Sequence, residues 1–480
     1  MSCCDLSHKT AIALSCGLIL FVAEGINYSL MAPFFPNEAE RKKDISKFVV
    51  GAIVASNDVA NIVFSILLPL CAKPELNKFF FVSGAIIGAT ANICLGLLGD
   101  GPGGYWFASM CFLCRTLTGI GAGLIWSTGI PLLTSLAPKY AGRVSSLAES
   151  GVGLGVTIGP PLGSLLFSLG GYKYPFINSG AIELFLTMFV IFSLPAPTVQ
   201  NKRTQIYDSD DEAILHDSNN SDAMSTDVSL LQPNSNKNNR NHTSSAAATS
   251  TVQAVVFFMS QPGIWAFSFV MPLFGVPFGL LDVSMSPFLK DHFEVDGNTA
   301  GLYFLSLGAL YAVAAQFVGY ATDKGFACYT FVWCSSLLVP VNLMFYLPSI
   351  FPFLLHKYYI VVVLAFTGLF LSGVFVPVFF ILHELALSLG FPPQNKDQLQ
   401  LVIGIWMNFF LAAGRILGSV LFGGIIYPHF GFEKSFLAVF GYSLVGSLIS
   451  NGYLVLSGNY RRMYYDIAVL LEEEENLDRD

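Results

Sequence analysis

The chain has 480 residues, of which 54% are hydrophobic, 14% aromatic and only 12% charged, and its mean hydropathy is +0.61. Soluble chains carry roughly 25% charged residues, so a soluble globular domain is excluded and a polytopic membrane protein is implied. The net charge of -8 identifies no partner, because many of the acids fall in two polar segments outside the apolar runs.

Apolar stretches of about 20 residues are long enough to span a bilayer. In chain order they fall at 10-36, 47-72, 77-98, 106-135, 143-169 and 172-194, and then at 262-289, 299-322, 326-348, 358-388, 400-426 and 433-457. The first run is too long for a signal-peptide core and no small-residue cleavage site follows it. Between the two sets lies a stretch rich in Asn, Ser and Asp that cannot bury enough apolar surface to fold. The expected organisation is an all-α membrane protein with twelve transmembrane helices in two six-helix halves. The halves are 1-195 and 259-458, joined by a disordered cytosolic linker over 196-258 and followed by an acidic tail over 459-480. Placing both ends and the linker in the cytosol puts most of the Lys and Arg there, as the positive-inside rule asks, although Arg41, Lys42, Lys43 and Lys47 crowd the first outer loop. None of the nine cysteines falls in an outer loop, so no disulfide framework is implied. Cys111 and Cys114 form a lone CxxC inside a span, read as packing rather than a metal site.

Several short motifs sharpen the class. In GVGLGVTIGPPLGSLL, Gly155, Gly159 and Gly163 share one helix face and admit a close neighbour, and Pro160 with Pro161 is expected to kink the helix. In RTLTGIGAG, Arg115 is a cation inside a span, costly unless it is paired or lines a wet cavity. GYATDKG supplies Gly319, Asp323 and Lys324 after the eighth span. These three motifs resemble the fifth-helix, fourth-helix and loop motifs of the major facilitator superfamily. NYSLMAPFFPNEAE, LAESGVGLGVTIGPP and FGLLDVSMSPFL are similar to the vesicular amine transporter family, and within it to the polyamine-transporting branch. That resemblance implies a major facilitator fold and a proton-coupled antiporter loading polyamines or related organic amines into acidic vesicles. Its partners would be small organic cations, protons and the lipid bilayer. An organic cation exporter at the plasma membrane and a non-transporting receptor on a transporter fold are the alternatives.

The acids inside the spans are the candidate site. Glu24 lies mid-span in FVAEGINYSLMAPFF, with Lys9 and Glu38 as its nearest charged neighbours in sequence, and an intramembrane carboxylate is functional by default. Its placement before Pro33 resembles that of the family's first-helix amine-binding aspartate. Asn27 and Tyr28, one turn on, could complete the pocket, although packing is an alternative for Tyr28. Asp282 in the seventh span is the pseudo-symmetric counterpart of Glu24, so both would face the midplane cavity. Asp58 and Glu149 match acids of the polyamine branch, Asp58 for substrate and Glu149 for protons, although Glu149 could instead cap the fifth span near Arg143. Tyr28 and Tyr311 could offer cation-π contacts. A carboxylate at such a site can hold either a proton or an ammonium, and competition between them gives exchange.

Departures from the family accompany these matches. Asn57 stands where monoamine members carry a lysine. Asn408 is the nearest polar group in the eleventh span, Arg415 adds a cation there, and Glu183 in the sixth span has no counterpart. His383 and Glu384 read as an interfacial pair or, alternatively, a proton relay. No Walker loop or metal-spaced ligand set is present, so no enzyme, cofactor or nucleic-acid partner is implied. In the tail, Asp466, Leu470 and Leu471 form DxxxLL, similar to adaptor-read endolysosomal sorting signals.

Overall fold

A computed structural model of the protein describes residues 8-71, 74-137, 141-194, 253-392 and 396-456. Linker residues 196-252 and the tail with Asp466, Leu470 and Leu471 lie outside these. Among the described residues twelve helices are long and apolar enough to cross a membrane. The first six are α1 (His8–Ser29), α2 (Lys47–Cys71), α3 (Asn77–Leu97), α4 (Gly104–Leu136), α5 (Ala141–Gly170) and α6 (Lys173–Ser193). The second six are α7 (Pro262–Phe293), α8 (Gly297–Asp323), α9 (Ala327–Met344), α10 (Lys357–Ser388), α11 (Leu399–Phe430) and α12 (Phe432–Leu456). A helix over 253-260 precedes α7 and buries Phe258, so the expected linker end at 258 falls inside it.

Proline sets most of the departures from the expected spans. α1 stops at Ser29 and the chain turns ahead of Phe35–Asn37, whereas the apolar pattern predicts a span running to residue 36. Pro33 lacks the amide that an α-helix would need there. α7 breaks after Ser268 and resumes at Met271 with Pro272 in its first turn, and α10 breaks before Pro377. α5, in contrast, runs unbroken through Pro160 and Pro161. α11 widens into π-type turns over Leu417–Ile426, directly after Arg415.

Glycine decides which helices touch closely. A methyl group added to Gly155, Gly159 or Gly163 would overlap α1 or the turn after it, at Val22, Ser29 and Leu30 respectively, so the expected stripe is the α1/α5 contact. The second half repeats the arrangement. Gly275 and Gly279 of α7 lie against the backbones of Leu411 and Arg415 of α11, and Gly418 lies against Val276.

The halves meet along two seams. On one, α2 faces α11, with Gly51 against Ser419 and Gly424 against Phe48. On the other, α5 faces α8, where the Ser164 hydroxyl donates to the Gly297 carbonyl at 2.6 Å and accepts from the Gly301 amide at 2.8 Å. At the end remote from the chain termini, Ser286 Oγ donates to the Pro33 carbonyl at 2.5 Å and accepts from Asn37 Nδ2 at 2.7 Å. Apolar packing crosses at that end as well, with Ala32 joining a core of the second half and Val283 one of the first.

Candidate functional site

Glu24 is carried on α1 beside Gly25, whose missing side chain lets α5 approach at Val152 and Gly155. The carboxylate is 8% exposed, and Asn27 follows one turn later on the same helix. Asn27 Nδ2 donates to Glu183 Oε2 on α6 at 2.5 Å. Glu24, Asn27 and Glu183 therefore form one polar cluster inside the first half, and Glu24 and Glu183 act on each other electrostatically. The sequence alone assigns Glu183 no role. The signal was its position in the middle of an apolar span, where an acid needs a polar partner.

A second cluster occupies the α2/α11 seam. Asp58 is 0% exposed, and its Oδ1 accepts from Arg415 Nε at 2.9 Å and Nη2 at 2.6 Å. Its Oδ2 lies 3.5 Å from the Tyr28 hydroxyl. Two guanidinium groups lie over the Tyr28 ring, with Arg415 Cζ 4.5 Å and Arg115 Cζ 5.9 Å from its centroid. Arg115 is 1% exposed and its Nε has no hydrogen-bond partner. Asp282 on α7 is half-buried, makes no ion pair among the described residues, and lies within electrostatic reach of Arg415, Asp58 and Arg115.

These placements change what the sequence suggested for two residues. Asp58 was expected to meet a substrate cation, but in this state Arg415 occupies it. Tyr28 was expected to offer its ring face to an ammonium, but the protein's own guanidinium groups stand there. Arg415, read only as a departure from the family pattern, is thus a central member of the site. The unmatched charges of Asp58 and Arg415, each inside a span, were the available signal, because buried charges must be paired.

Smaller polar contacts flank the seam. Asn57 Nδ2 donates to Thr118 Oγ1 at 2.9 Å, and Asn408 Nδ2 donates to Ser65 Oγ at 3.0 Å beside Asn61. Tyr311 is half-buried on α8 across from Gly153 of α5, on the other seam. His383 Nδ1 and Glu384 Oε1 lie 3.3 Å apart as a partly exposed pair near the end of α10. Gly319 has open space around it, and Lys324 is exposed. The side chains of Glu149 and Asp323 lie outside the described ones. Cys111 and Cys114 are buried in an apolar core.

Among the described residues, twelve spans in two halves, each with its own close glycine contacts, enclose charged groups at their junction. The model of the major facilitator superfamily matches residues 17–386. The chain belongs to the major facilitator superfamily. This is a family of transporters rather than enzymes, and the protein is a multi-pass membrane protein. As a superfamily member it is similar to "MFS-type transporter SLC18B1" of Homo sapiens, 24% identical over 479 residues, covering 98% of this chain and 92% of that protein. It is also 24% identical over 174 residues to the vesicular acetylcholine transporter of Rattus norvegicus, covering 35% of this chain and 30% of that one. Its fold matches a bacterial homologue of the human lysosomal transporter Spinster, solved inward-facing and unoccupied, with a TM-score of 0.66 at 13% identity over 96% of this chain and 98% of that chain.

Proposed function

We propose that this superfamily member is a proton-coupled antiporter that exchanges protons for small organic amines, polyamines among them, across the membrane of an acidic intracellular vesicle. One observation carries the reading. The two clusters hold four carboxyls, Glu24, Asp58, Glu183 and Asp282, against two guanidinium groups, Arg115 and Arg415. A dry interior does not tolerate unbalanced charge, so the surplus acids must bind protons or cations. Glu24 and Asp282 are the members without an ion-pair partner that retain some exposure, one in each half, and a polyamine carries separated ammonium groups to match. The name of the acetylcholine-transporting relative points to the same class of cargo.

In this reading an ammonium arriving at Glu24 displaces its proton, and a proton returning from the acidic side displaces the amine. Proteoliposomes holding the full chain should accumulate labelled spermidine only under an inside-acid gradient. Glu24→Gln keeps the size of the side chain and removes its charge. Loss of a charged contact of about 1.5–3 kcal/mol should weaken amine binding roughly 10- to 150-fold and abolish gradient-driven uptake. Normal uptake by a well-expressed Glu24→Gln protein would sink the proposal.

A further inference from the structure

Glu183 is one of the surplus acids but has no step of its own in the exchange just described, and its surroundings are unusual. The side chain is 0% exposed, and among the described residues it makes no ion pair. Its Oε2 accepts from Asn27 Nδ2, while its Oε1 and the Asn27 Oδ1 are both buried without any hydrogen-bond partner. The charged group that bears on it is another acid, Glu24. Of the other helices packed on α6, α3 presents the uncharged Gly88 beside Oε1. α5 brings no charged group to Glu183 among the described side chains.

Two orphaned acceptors on residues already joined by one hydrogen bond are explained together by a single proton. On Glu183 Oε1 it removes the charge and turns that oxygen into a donor. The Asn27 carbonyl oxygen is the unfilled acceptor on the neighbouring side chain, so an acid–amide pair with two hydrogen bonds replaces one bond and two orphans. We propose that Glu183 and Asn27 form a proton-binding site within the first half, and that Glu183 and Glu24 release their protons as one coupled pair. Glu24, the more exposed member, is the exit to water. Asn27, one turn from Glu24 on α1, bonds Glu183, and two acids that act on each other across such a cluster ionise one after the other, in steps that belong to the pair.

The test is infrared difference spectroscopy of the full chain in lipid nanodiscs, titrated from acid to alkaline pH without substrate or gradient. The wild type should lose two protonated-carboxyl bands from this site in two separated steps. Glu183→Gln should remove one band and let the remaining step, now Glu24 alone, occur at lower pH. Glu24→Gln should do the same for Glu183. Asn27→Leu, which leaves both acids in place, should move the Glu183 band to the frequency of an acid with no hydrogen-bonded acceptor. A wild-type spectrum with no band that Glu183→Gln or Asn27→Leu alters overturns the site. A Glu183 step that stays put in Glu24→Gln overturns the coupling. The use of this proton in transport rests on the antiport reading, under which Glu183→Gln lowers gradient-driven accumulation several-fold while amine-for-amine exchange continues. Absence of wild-type uptake would count against that reading and leave the spectra to decide the proton site.

Discussion

Asp58 and Glu183 are both fully buried acids on helices of the first half, but they are neutralised by different means. Asp58 lies on α2, which lines the junction with the second half, and a guanidinium from α11 covers it. Glu183 lies on α6, which packs on α1, α3 and α5 of its own half, and it meets an amide and another acid. Position in the fold therefore assigns the role. An acid on the seam can be satisfied by the opposite half and joins the halves while it is. An acid behind the seam has no such partner and is left to protons.

The sharpest way to break this contrast is to strip Asp58 of its charge. Asp58→Asn should strand Arg415 as a buried cation and cost about 3–5 kcal/mol, read as a large fall in the melting temperature of the purified protein. Adding Arg415→Gln should recover most of that loss, and a double variant no more stable than the single one would contradict the pairing. Glu183→Leu is the matched control, because burying a neutral apolar group in place of an uncharged acid should be much milder.

Packing beneath the acids offers a middle-sized effect. Gly159→Leu would press on Ser29 and the Ile26 carbonyl of α1, and overpacking of this kind costs about 1–3 kcal/mol. A melting temperature unchanged from wild type would show that α5 does not hold α1, and with it Glu24 and Asn27, in place. The smallest effect is expected on the seam's uncharged contacts. Asn408→Leu removes bonds to Ser65 and Asn61 and should cost about 0.5–1.5 kcal/mol, too little to separate the halves while Asp58 and Arg415 remain paired. A loss as large as that of Asp58→Asn would mean that amides rather than charges join them.

The sequence made the local features plain. The spans followed from hydropathy, the glycine stripe of α5 from its four-residue spacing, and Glu24 and Asp282 from the cost of acids in an apolar run. What it hid were pairings across long stretches of chain, 357 residues for Asp58 with Arg415 and 156 for Asn27 with Glu183. Periodicity reports which face of a helix a residue occupies and is silent on what another helix brings to that face. The four-residue spacing of Gly414 and Gly418 was as legible as that of Gly155 and Gly159, and it marks the α7/α11 contact of the second half.

The Ser286 hydroxyl that ties Pro33 to Asn37 is at once donor and acceptor, so one small side chain completes the polar closure named at that end of the molecule. Each such bond contributes about 0.5–1.5 kcal/mol net, and the pair together amounts to a few times thermal energy. An arrangement with this end parted and one with it joined would then differ, in their polar terms, by a population ratio of roughly 5- to 150-fold. That margin is small beside the several kcal/mol of desolvating an ion. The desolvation of one interior charge is therefore larger than the polar contribution of this closure, which leaves the apolar packing of Ala32 and Val283 as its other support.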